Sequence, residues 1–213
     1  MSSRQTRDVA ETFDDWAQRG RGEGMEEGHR LTAGDLIASL PIEPGTRFLD
    51  LGTGIGWAAR DAADKGALAV GVDVAPKMLA RARARQGPKV TFLQASFEDL
   101  PFQDGSFQLA FSMEALYYAD DLHRALEEVS RAIVPGGRLH AIIDFYEENE
   151  ASHAWPEKTG VPMHLLSEQA WLEALVAAGF QDASASRIRG EEGVGDAWKW
   201  EQGSLHLVAT NPP

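Results

Sequence analysis

The segment FLDLGTGIG places one acid and three glycines at a spacing that could bind a nucleotide-like ligand. Asp50 ends a short apolar run that reads as a buried strand, and Gly52, Gly54 and Gly56 follow it. Glycine allows a tight turn and lets backbone N–H groups approach a ligand that a Cβ would keep away. The helix-forming residues that come next would point their positive N-terminal end at a carboxylate or phosphate. The pattern therefore predicts a ligand cradle between a strand and a helix.

The ligand could be a dinucleotide or a different nucleoside cofactor. A dinucleotide fingerprint of spaced small residues fails when it is counted from Gly52, because a tryptophan occupies position 57. When the fingerprint is counted from Gly54, it is satisfied by Gly54, Gly56 and Ala59. Asp50 lies inside the strand end, where a carboxylate suits an ammonium group better than a pyrophosphate. The D-x-G-x-G-x-G string resembles motif I of the class I S-adenosylmethionine-dependent methyltransferases, whose cofactor has an ammonium and a carboxylate. The resemblance assigns the methionine end of that cofactor to Asp50, Gly52, Thr53, Gly54 and Gly56.

A second acid, Asp73, ends the next predicted strand, 21 residues after Gly52. In an open α/β sheet this strand end lies beside the glycine loop, where a carboxylate can accept hydrogen bonds from both ribose hydroxyls. Such an acid serves nicotinamide enzymes and methyltransferases alike. The residues that follow resemble the methyltransferase pattern, which implies that Val74 and Met78 lie near the adenine. A methionine at helical spacing would equally fit an ordinary core.

The segment QASFEDLPFQDGSFQLAFS, residues 94–112, resembles the string G-D-A-E-x-L-P-F-x-D-x-S-F-D-x-V of many methyltransferases. The aspartate that usually bonds the adenine amino group in that family is replaced by Ser96, whose hydroxyl can still accept a hydrogen bond. The backbone N–H of Phe97 could reach the ring, and Glu98 and Ser112 are further cofactor-binding candidates. Within the family, the string resembles the ubiquinone- and menaquinone-biosynthesis branch, whose members mostly methylate small molecules.

Methyl transfer from a sulfonium constrains the catalytic residues weakly. The protein aligns the groups for an in-line displacement and excludes water, and it needs a base only where the nucleophile must lose a proton. Ligands of α/β folds lie at the carboxyl ends of the strands. The candidate catalytic residues there are Glu114, Tyr117, Tyr146 and His153, with His153 as the candidate base. Other candidates for lining the substrate site are Tyr118, Asp144, Trp155, His164, Trp16 and His29. The aromatic and histidine content predicts a partly apolar, planar substrate.

The elements that must position these residues alternate between strand and helix from residue 46 onward. Two last strand-like runs, near 182–189 and 204–210, lack a crossover helix between them and should pair antiparallel. We predict a single α/β domain with a doubly wound, Rossmann-like, seven-stranded and mostly parallel sheet that ends in a C-terminal antiparallel strand pair. Its parts are an N-terminal helical cover (1–45), a cofactor-binding core (46–146), and a substrate-side loop, last helix and terminal strand pair (147–213).

Two local features leave more than one interpretation. The glycine-rich segment 20–24 is predicted to break the cover into one helix before it and a second over roughly 25–40, which suggests that the cover moves. Trp198 and Trp200 have strand-like spacing and would point to one face. They could pack under a loop, line the pocket or form a dimer contact.

The net charge of −13 and the absence of cysteine limit the partners. An acidic surface disfavours nucleic acid and anionic membranes, and a chain without cysteine has no disulfide or thiolate metal site. No apolar run suggests a membrane span and no secretory signal is visible, so we expect a cytoplasmic location. The acid-rich, lysine-poor composition fits either a salt-adapted host or an ordinary acidic surface.

The sequence thus predicts an S-adenosylmethionine-dependent methyltransferase that acts on a small molecule and releases S-adenosylhomocysteine, with no metal. Two alternatives remain open. One is a nicotinamide-dependent oxidoreductase, and the other is a non-catalytic protein that keeps the methyltransferase fold.

Overall fold

A computed structural model describes residues 3–213. The strands are β1 (Arg47–Leu51), β2 (Leu68–Asp73), β3 (Val90–Gln94), β4 (Phe107–Met113), β5 (Ile133–Ile143), β6 (Gln181–Ile188) and β7 (Ser204–Thr210). They form one seven-stranded sheet in the order β3-β2-β1-β4-β5-β7-β6. Strands β1 to β5 pair in parallel, whereas β7 runs antiparallel to both β5 and β6. The predicted mostly parallel sheet with a terminal antiparallel pair is therefore confirmed.

Helices connect the strands and cover the sheet. They are α1 (Arg4–Gln18), α2 (Arg21–Ser39), α3 (Trp57–Asp64), α4 (Pro76–Ala84), α5 (Leu122–Ala132), α6 (Trp155–Thr159), α7 (Glu168–Ala177) and α8 (Trp198–Glu201). The side chain of Asp121 caps α5 by accepting the N–H of Arg124 at 3.0 Å, and Ser167 caps α7 by accepting the N–H of Ala170 at 3.2 Å. Each cap gives one of the unpaired first-turn N–H groups a hydrogen-bond partner.

The core lies on both faces of the sheet, because the central strands are buried along most of their length. In β1 the residues from Phe48 to Leu51 are all buried, as expected for a parallel strand covered by helices on each side. Helix α5 packs one face of the sheet through an apolar stripe of buried residues, Leu122, Ala125, Leu126, Val129 and Ala132. None of the helices within residues 3–213 is long and apolar enough to span a membrane.

The predicted break between two helices is present at Arg19 and Gly20, but its predicted extent to residue 24 is wrong, because α2 begins at Arg21. Gly22 lies inside the helix, where an added Cβ would come within 2.9 Å of Ile55 Cγ2. Gly22 therefore allows α2 to pack closely against the loop after β1, and it does not end a helix. Ion pairs from Glu26 to Arg60 and Arg85 hold the same helix against α3 and α4.

The strand-like spacing predicted for Trp198 and Trp200 is also wrong, because both residues lie in α8. The connection between β6 and β7 is long enough to form its own helical turn, closed by the N–H of Gly203 on the carbonyl of Trp198 at 2.9 Å. This turn places the ring of Trp198 edge-on to that of Trp155, with centroids 6.2 Å apart.

Candidate functional site

The glycine-rich turn follows β1 and ends at Gly56, the residue that caps the start of α3. Gly52, Gly54 and Gly56 all have positive φ angles, between 52° and 83°, which residues with a Cβ adopt only at a cost. Backbone bonds fix the turn, from the N–H of Thr53 to the Val72 carbonyl at 2.9 Å and from the N–H of Gly56 to the Thr53 carbonyl at 2.8 Å. The sequence motif therefore forms the strand, turn and helix start that it predicts.

The three glycines differ in what surrounds them. An added Cβ at Gly52 would overlap the side chain of Ala115, and one at Gly56 would overlap the ring of Phe92. At Gly54 an added Cβ would meet no protein atom within 4 Å. The outer two glycines therefore pack against the protein, whereas Gly54 faces open space, as a ligand cradle requires.

Two buried acids flank this turn. Oδ2 of Asp50 accepts hydrogen bonds from the Thr53 hydroxyl at 2.5 Å and the Ala59 N–H at 3.2 Å, which leaves Oδ1 for a ligand ammonium. Asp73 accepts the N–H of Gly54 at 2.8 Å and that of Ala75 at 2.8 Å. Burial raises the pKa of Asp50 to about 7 and that of Asp73 to about 6. Both groups would gain from a ligand that donates hydrogen bonds or carries positive charge.

A cavity of about 560 Å³ opens from this turn and extends over the carboxyl ends of β4 and β5, a size typical of small-ligand sites. Of the predicted cofactor-binding residues it is lined by Asp50, Gly52, Thr53, Gly54, Asp73, Val74, Met78 and Phe97. Its aromatic wall consists of Phe13, Trp16, Trp57, Tyr117, Tyr118, Trp155 and Trp198. The sequence left the role of Trp198 open, and the structure places it in this wall.

The N-terminal helices cover the cavity. In α1, Asp14 accepts the N–H of Lys77 at 2.7 Å and so caps α4, while Arg81 donates to the Ala17 carbonyl at 2.7 Å. Gln5 donates to the Ala119 carbonyl at 3.1 Å. These contacts tie the cover to both sides of the cavity. Its movement stays a prediction.

Two carboxyl groups meet where β4 and β5 end. Glu114 accepts the hydroxyl of Tyr117 at 2.8 Å on Oε2 and the backbone N–H of Asp144 on Oε1. Asp144 is 3% exposed, its Oδ2 lies 3.5 Å from Nζ of Lys199, and its Oδ1 has no hydrogen-bond partner among the described residues. Lys199 also donates to the hydroxyl of Thr32 at 3.3 Å.

Burial shifts the protonation of these groups. Burial, and then the neighbouring Asp144 carboxylate, raise the pKa of Glu114 well above its usual range. Burial also raises the pKa of Asp144, which Lys199 and the nearby Ser204 hydroxyl oppose. Burial and the Lys199 ammonium lower the pKa of His29, which also lines the cavity, to about 4. Near neutral pH the cavity therefore contains the neutral imidazole of His29 and the carboxyl group of Glu114, which resists ionisation.

The residues predicted to contact the adenine do not all line the same pocket. Phe97 lines the cavity, whereas Ser96 lines an adjacent pocket of about 530 Å³ that shares Val74 with it. Glu98 accepts the N–H of Asp120 at 2.8 Å, ahead of α5, and lines neither pocket. Ser112 is buried within β4 and does not line the cavity either.

Two of the catalytic candidates lie outside the cavity. His153 is exposed, with Nε2 at 2.9 Å from the Glu147 carbonyl. Tyr146 donates its hydroxyl to the Gly203 carbonyl at 2.7 Å and lies under the Arg187 guanidinium. Lys199, in contrast, lines the cavity but was absent from the sequence prediction, because it lies in the short helix α8 between β6 and β7 and belongs to no motif. In residues 3–213 no group of three or more acidic or histidine side chains is placed to bind a metal ion.

A mostly parallel doubly wound sheet, a glycine turn after β1 and an acid after β2 define a Rossmann-like, nucleoside-binding α/β protein. Comparison with known proteins makes this more specific. Residues 49–141 match the family model described as a methyltransferase domain. Over 94% of its length the chain superimposes, with a TM-score of 0.87 and 37% identity, on 98% of a chain from a complex between the Haloferax volcanii Trm112 methyltransferase activator and a candidate methyltransferase.

Two named relatives match over part of their length. An uncharacterized methyltransferase of Synechocystis is 37% identical over 58% of this chain and 56% of its own. The 27-O-demethylrifamycin SV methyltransferase of Amycolatopsis mediterranei is 32% identical over 57% of this chain and 46% of its own. This chain thus spans about half the length of these relatives. It belongs to the class I S-adenosylmethionine-dependent methyltransferases, a family whose cofactor is S-adenosylmethionine, as the motifs predicted.

Proposed function

We propose that this protein transfers a methyl group from S-adenosylmethionine to a small, partly apolar molecule by in-line displacement. The observation that carries the proposal is one continuous cavity. It joins the open face of Gly54 and the acid Asp73 to the chamber formed by Glu114, Asp144 and the tryptophans Trp155 and Trp198. One end therefore suits a nucleoside cofactor and the other a second ligand.

The residues of the cradle fit the cofactor chemically. Oδ1 of Asp50 would accept the ammonium of its methionine part, Asp73 would accept the ribose hydroxyls, and the open space at Gly54 would let the ligand lie close to the backbone. When bound, S-adenosylmethionine supplies a methyl group attached to a positively charged sulfur. The chain contributes alignment and the exclusion of water, which the covering helices α1 and α2 favour.

A small-molecule substrate is supported by the enclosure and by the charge. The aromatic wall and the cover leave a partly enclosed chamber lined by aromatic rings, whereas a nucleic acid would need an open basic surface, and this chain has a net charge of −13. The Amycolatopsis relative is named for methylation of a rifamycin. The same features support the small-molecule branch that the resemblance implied.

The test is formation of S-adenosylhomocysteine, measured by mass spectrometry, with panels of small aromatic molecules, transfer RNA and denatured protein as acceptors. We expect product with members of the small-molecule panel and none with the polymers. A matched Asp73→Ala variant should lose the activity. Activity on RNA or protein alone would contradict the small-molecule proposal. Cofactor binding with no acceptor methylated would favour the non-catalytic alternative.

We also propose that the chain binds an activator similar to Trm112. The support is the whole-length similarity to a chain from a Trm112 complex. Co-expression with a Trm112 protein, followed by size-exclusion chromatography with light scattering, should give a one-to-one complex with greater thermal stability than the chain alone. Separate elution of the two proteins would contradict this part of the proposal.

A further inference from the structure

One buried carboxylate oxygen in the chamber lacks a partner. Asp144 is 3% exposed and lines the cavity, and its Oδ1 has no hydrogen-bond partner among the described residues. An unpaired buried acceptor destabilises the protein. Because the residue lines the cavity, a donor supplied by a ligand would give this oxygen the partner that the protein does not supply.

The neighbouring Glu114 does not offer an equivalent acceptor. Its Oε2 accepts the hydroxyl of Tyr117 and its Oε1 accepts the backbone N–H of Asp144, so both oxygens are engaged. Lys199 occupies the other oxygen of Asp144, at 3.5 Å. The ion pair orients Asp144, and the Ser204 hydroxyl lies near the same carboxyl group without forming a hydrogen bond to Oδ1.

The position of Asp144 in the sheet places it next to the cofactor cradle. The order β1-β4-β5 brings the end of β4 between the glycine turn and Asp144. Gly52 packs directly against Ala115, the second residue after β4, so the end of β4 touches the turn. A group bound at Oδ1 of Asp144 would therefore lie in the same cavity as the cradle and at the same edge of the sheet, two strand spacings or roughly 10 Å from the glycine turn.

The charges of the chamber favour a neutral donor. The Lys199 ammonium already pairs with Asp144, and burial keeps Glu114 uncharged over a wider pH range than an exposed glutamate. A substrate ammonium placed at Oδ1 would face Lys199 at close range, which costs energy in a buried site. A hydroxyl group can donate a hydrogen bond to Oδ1 without carrying a charge. The rings of Trp155 and Trp198 provide an apolar surface for the rest of the substrate.

We propose that Asp144 is a catalytic residue whose Oδ1 accepts the hydroxyl proton of a neutral aromatic alcohol. The O–H bond of the substrate breaks, the proton moves to Oδ1, and the electron pair stays on the substrate oxygen, which becomes the methylated atom. Lys199 is a positioning residue that holds the carboxylate through Oδ2. This inference rests on the proposed function, because it specifies the substrate class of the same site.

The binding test uses protein loaded with S-adenosylhomocysteine and needs no turnover. Isothermal titration calorimetry would compare a panel of one- and two-ring phenols with their methyl ethers and with the matching arylmethyl ammonium compounds. We expect the best phenol to bind at least tenfold more tightly than its ether or ammonium counterpart. Asp144→Asn should reduce that preference to less than threefold. The control Asp182→Asn makes the same change at an exposed residue of β6 whose φ of 51° suits asparagine, and it should keep the preference.

The kinetic test uses the tightest-binding phenol as substrate. Loss of a general base should lower kcat for Asp144→Asn by about a hundredfold or more, with binding of S-adenosylhomocysteine within threefold of wild type. Equal binding of phenols and ethers by the wild type, or kcat of Asp144→Asn within threefold of wild type, would overturn the inference. The comparison of phenols with their ethers uses the wild-type protein, so it tests the inference even if Asp144→Asn folds poorly. Failure to bind S-adenosylhomocysteine would instead contradict the proposed function itself.

Discussion

The substitution Gly54→Ala should separate ligand binding from folding, because Gly54 and Gly52 share a backbone conformation but not an environment. Their φ angles are 52° and 68°. An added Cβ at Gly54 would meet no protein atom within 4 Å, whereas one at Gly52 would overlap Ala115. Alanine at Gly54 therefore costs backbone strain alone in the free protein. The same change at Gly52 adds a clash in a packed region.

The magnitudes follow from these surroundings. A left-handed conformation costs a residue with a Cβ about 1–2 kcal/mol, which lowers the Tm of a protein this size by about 2–8 °C. Gly52→Ala adds an overpacking cost of about 1–3 kcal/mol, so its Tm should fall further. The two variants should rank in the opposite order for ligand affinity, with Gly54→Ala the weaker binder. The new methyl group at Gly54 enters the cradle, and a similar clash of about 1–3 kcal/mol weakens binding of S-adenosylhomocysteine by about 5- to 150-fold.

The assay combines thermal unfolding, followed by circular dichroism, with titration calorimetry of both variants at a temperature where each is folded. We expect Gly54→Ala to be the more stable variant and the weaker ligand binder. Wild-type affinity in Gly54→Ala would show that the ligand does not occupy the space in front of this glycine. A lower Tm for Gly54→Ala than for Gly52→Ala would refute the packing argument.

Three further changes test other parts of the account. Asp121→Ala should lower the unfolding free energy in urea by about 1 kcal/mol through loss of the α5 cap, and an equal effect of the adjacent control Asp120→Ala would show that the cap is not responsible. In the wild type, affinity for S-adenosylhomocysteine should fall in two steps as the pH drops from 8 to 5, because burial raises the pKa of Asp50 to about 7 and that of Asp73 to about 6, and each acid loses acceptor strength when it takes up a proton. Calorimetry from pH 5 to 8 checks this, and Asp73→Asn should bind weakly without a transition near pH 6; an unchanged transition in that variant would assign it to another group. His153→Ala should form S-adenosylhomocysteine at the wild-type rate, since this exposed side chain lies outside the cavity, and a hundredfold loss would restore it as the base.

The sequence predicts the cofactor half of the site well because the determinants there are local. The glycine turn depends on positive φ angles at the alternating positions 52, 54 and 56, and the acid of β2 is the last residue of its strand. The two strand-like runs predicted near 182–189 and 204–210 correspond to β6 at Gln181–Ile188 and β7 at Ser204–Thr210. The missing crossover helix before β7 likewise predicts its antiparallel pairing.

The substrate half could not be predicted in the same way, because its contacts join distant parts of the chain. Lys199 meets Thr32 and Asp144, which lie 167 and 55 residues away in sequence. Gly22 marks a helix approach and not a helix break, and only the position of Ile55 distinguishes the two. A histidine such as His153 has no local signal that separates a base from a surface residue.

The most direct test of the central claim is calorimetric titration of the wild-type chain with S-adenosylmethionine, S-adenosylhomocysteine and NADH under the same conditions. The account predicts saturable one-to-one binding of both sulfur compounds, loss of that binding in Asp73→Ala, and no heat of binding with NADH. Binding of NADH together with no response to either sulfur compound would contradict it.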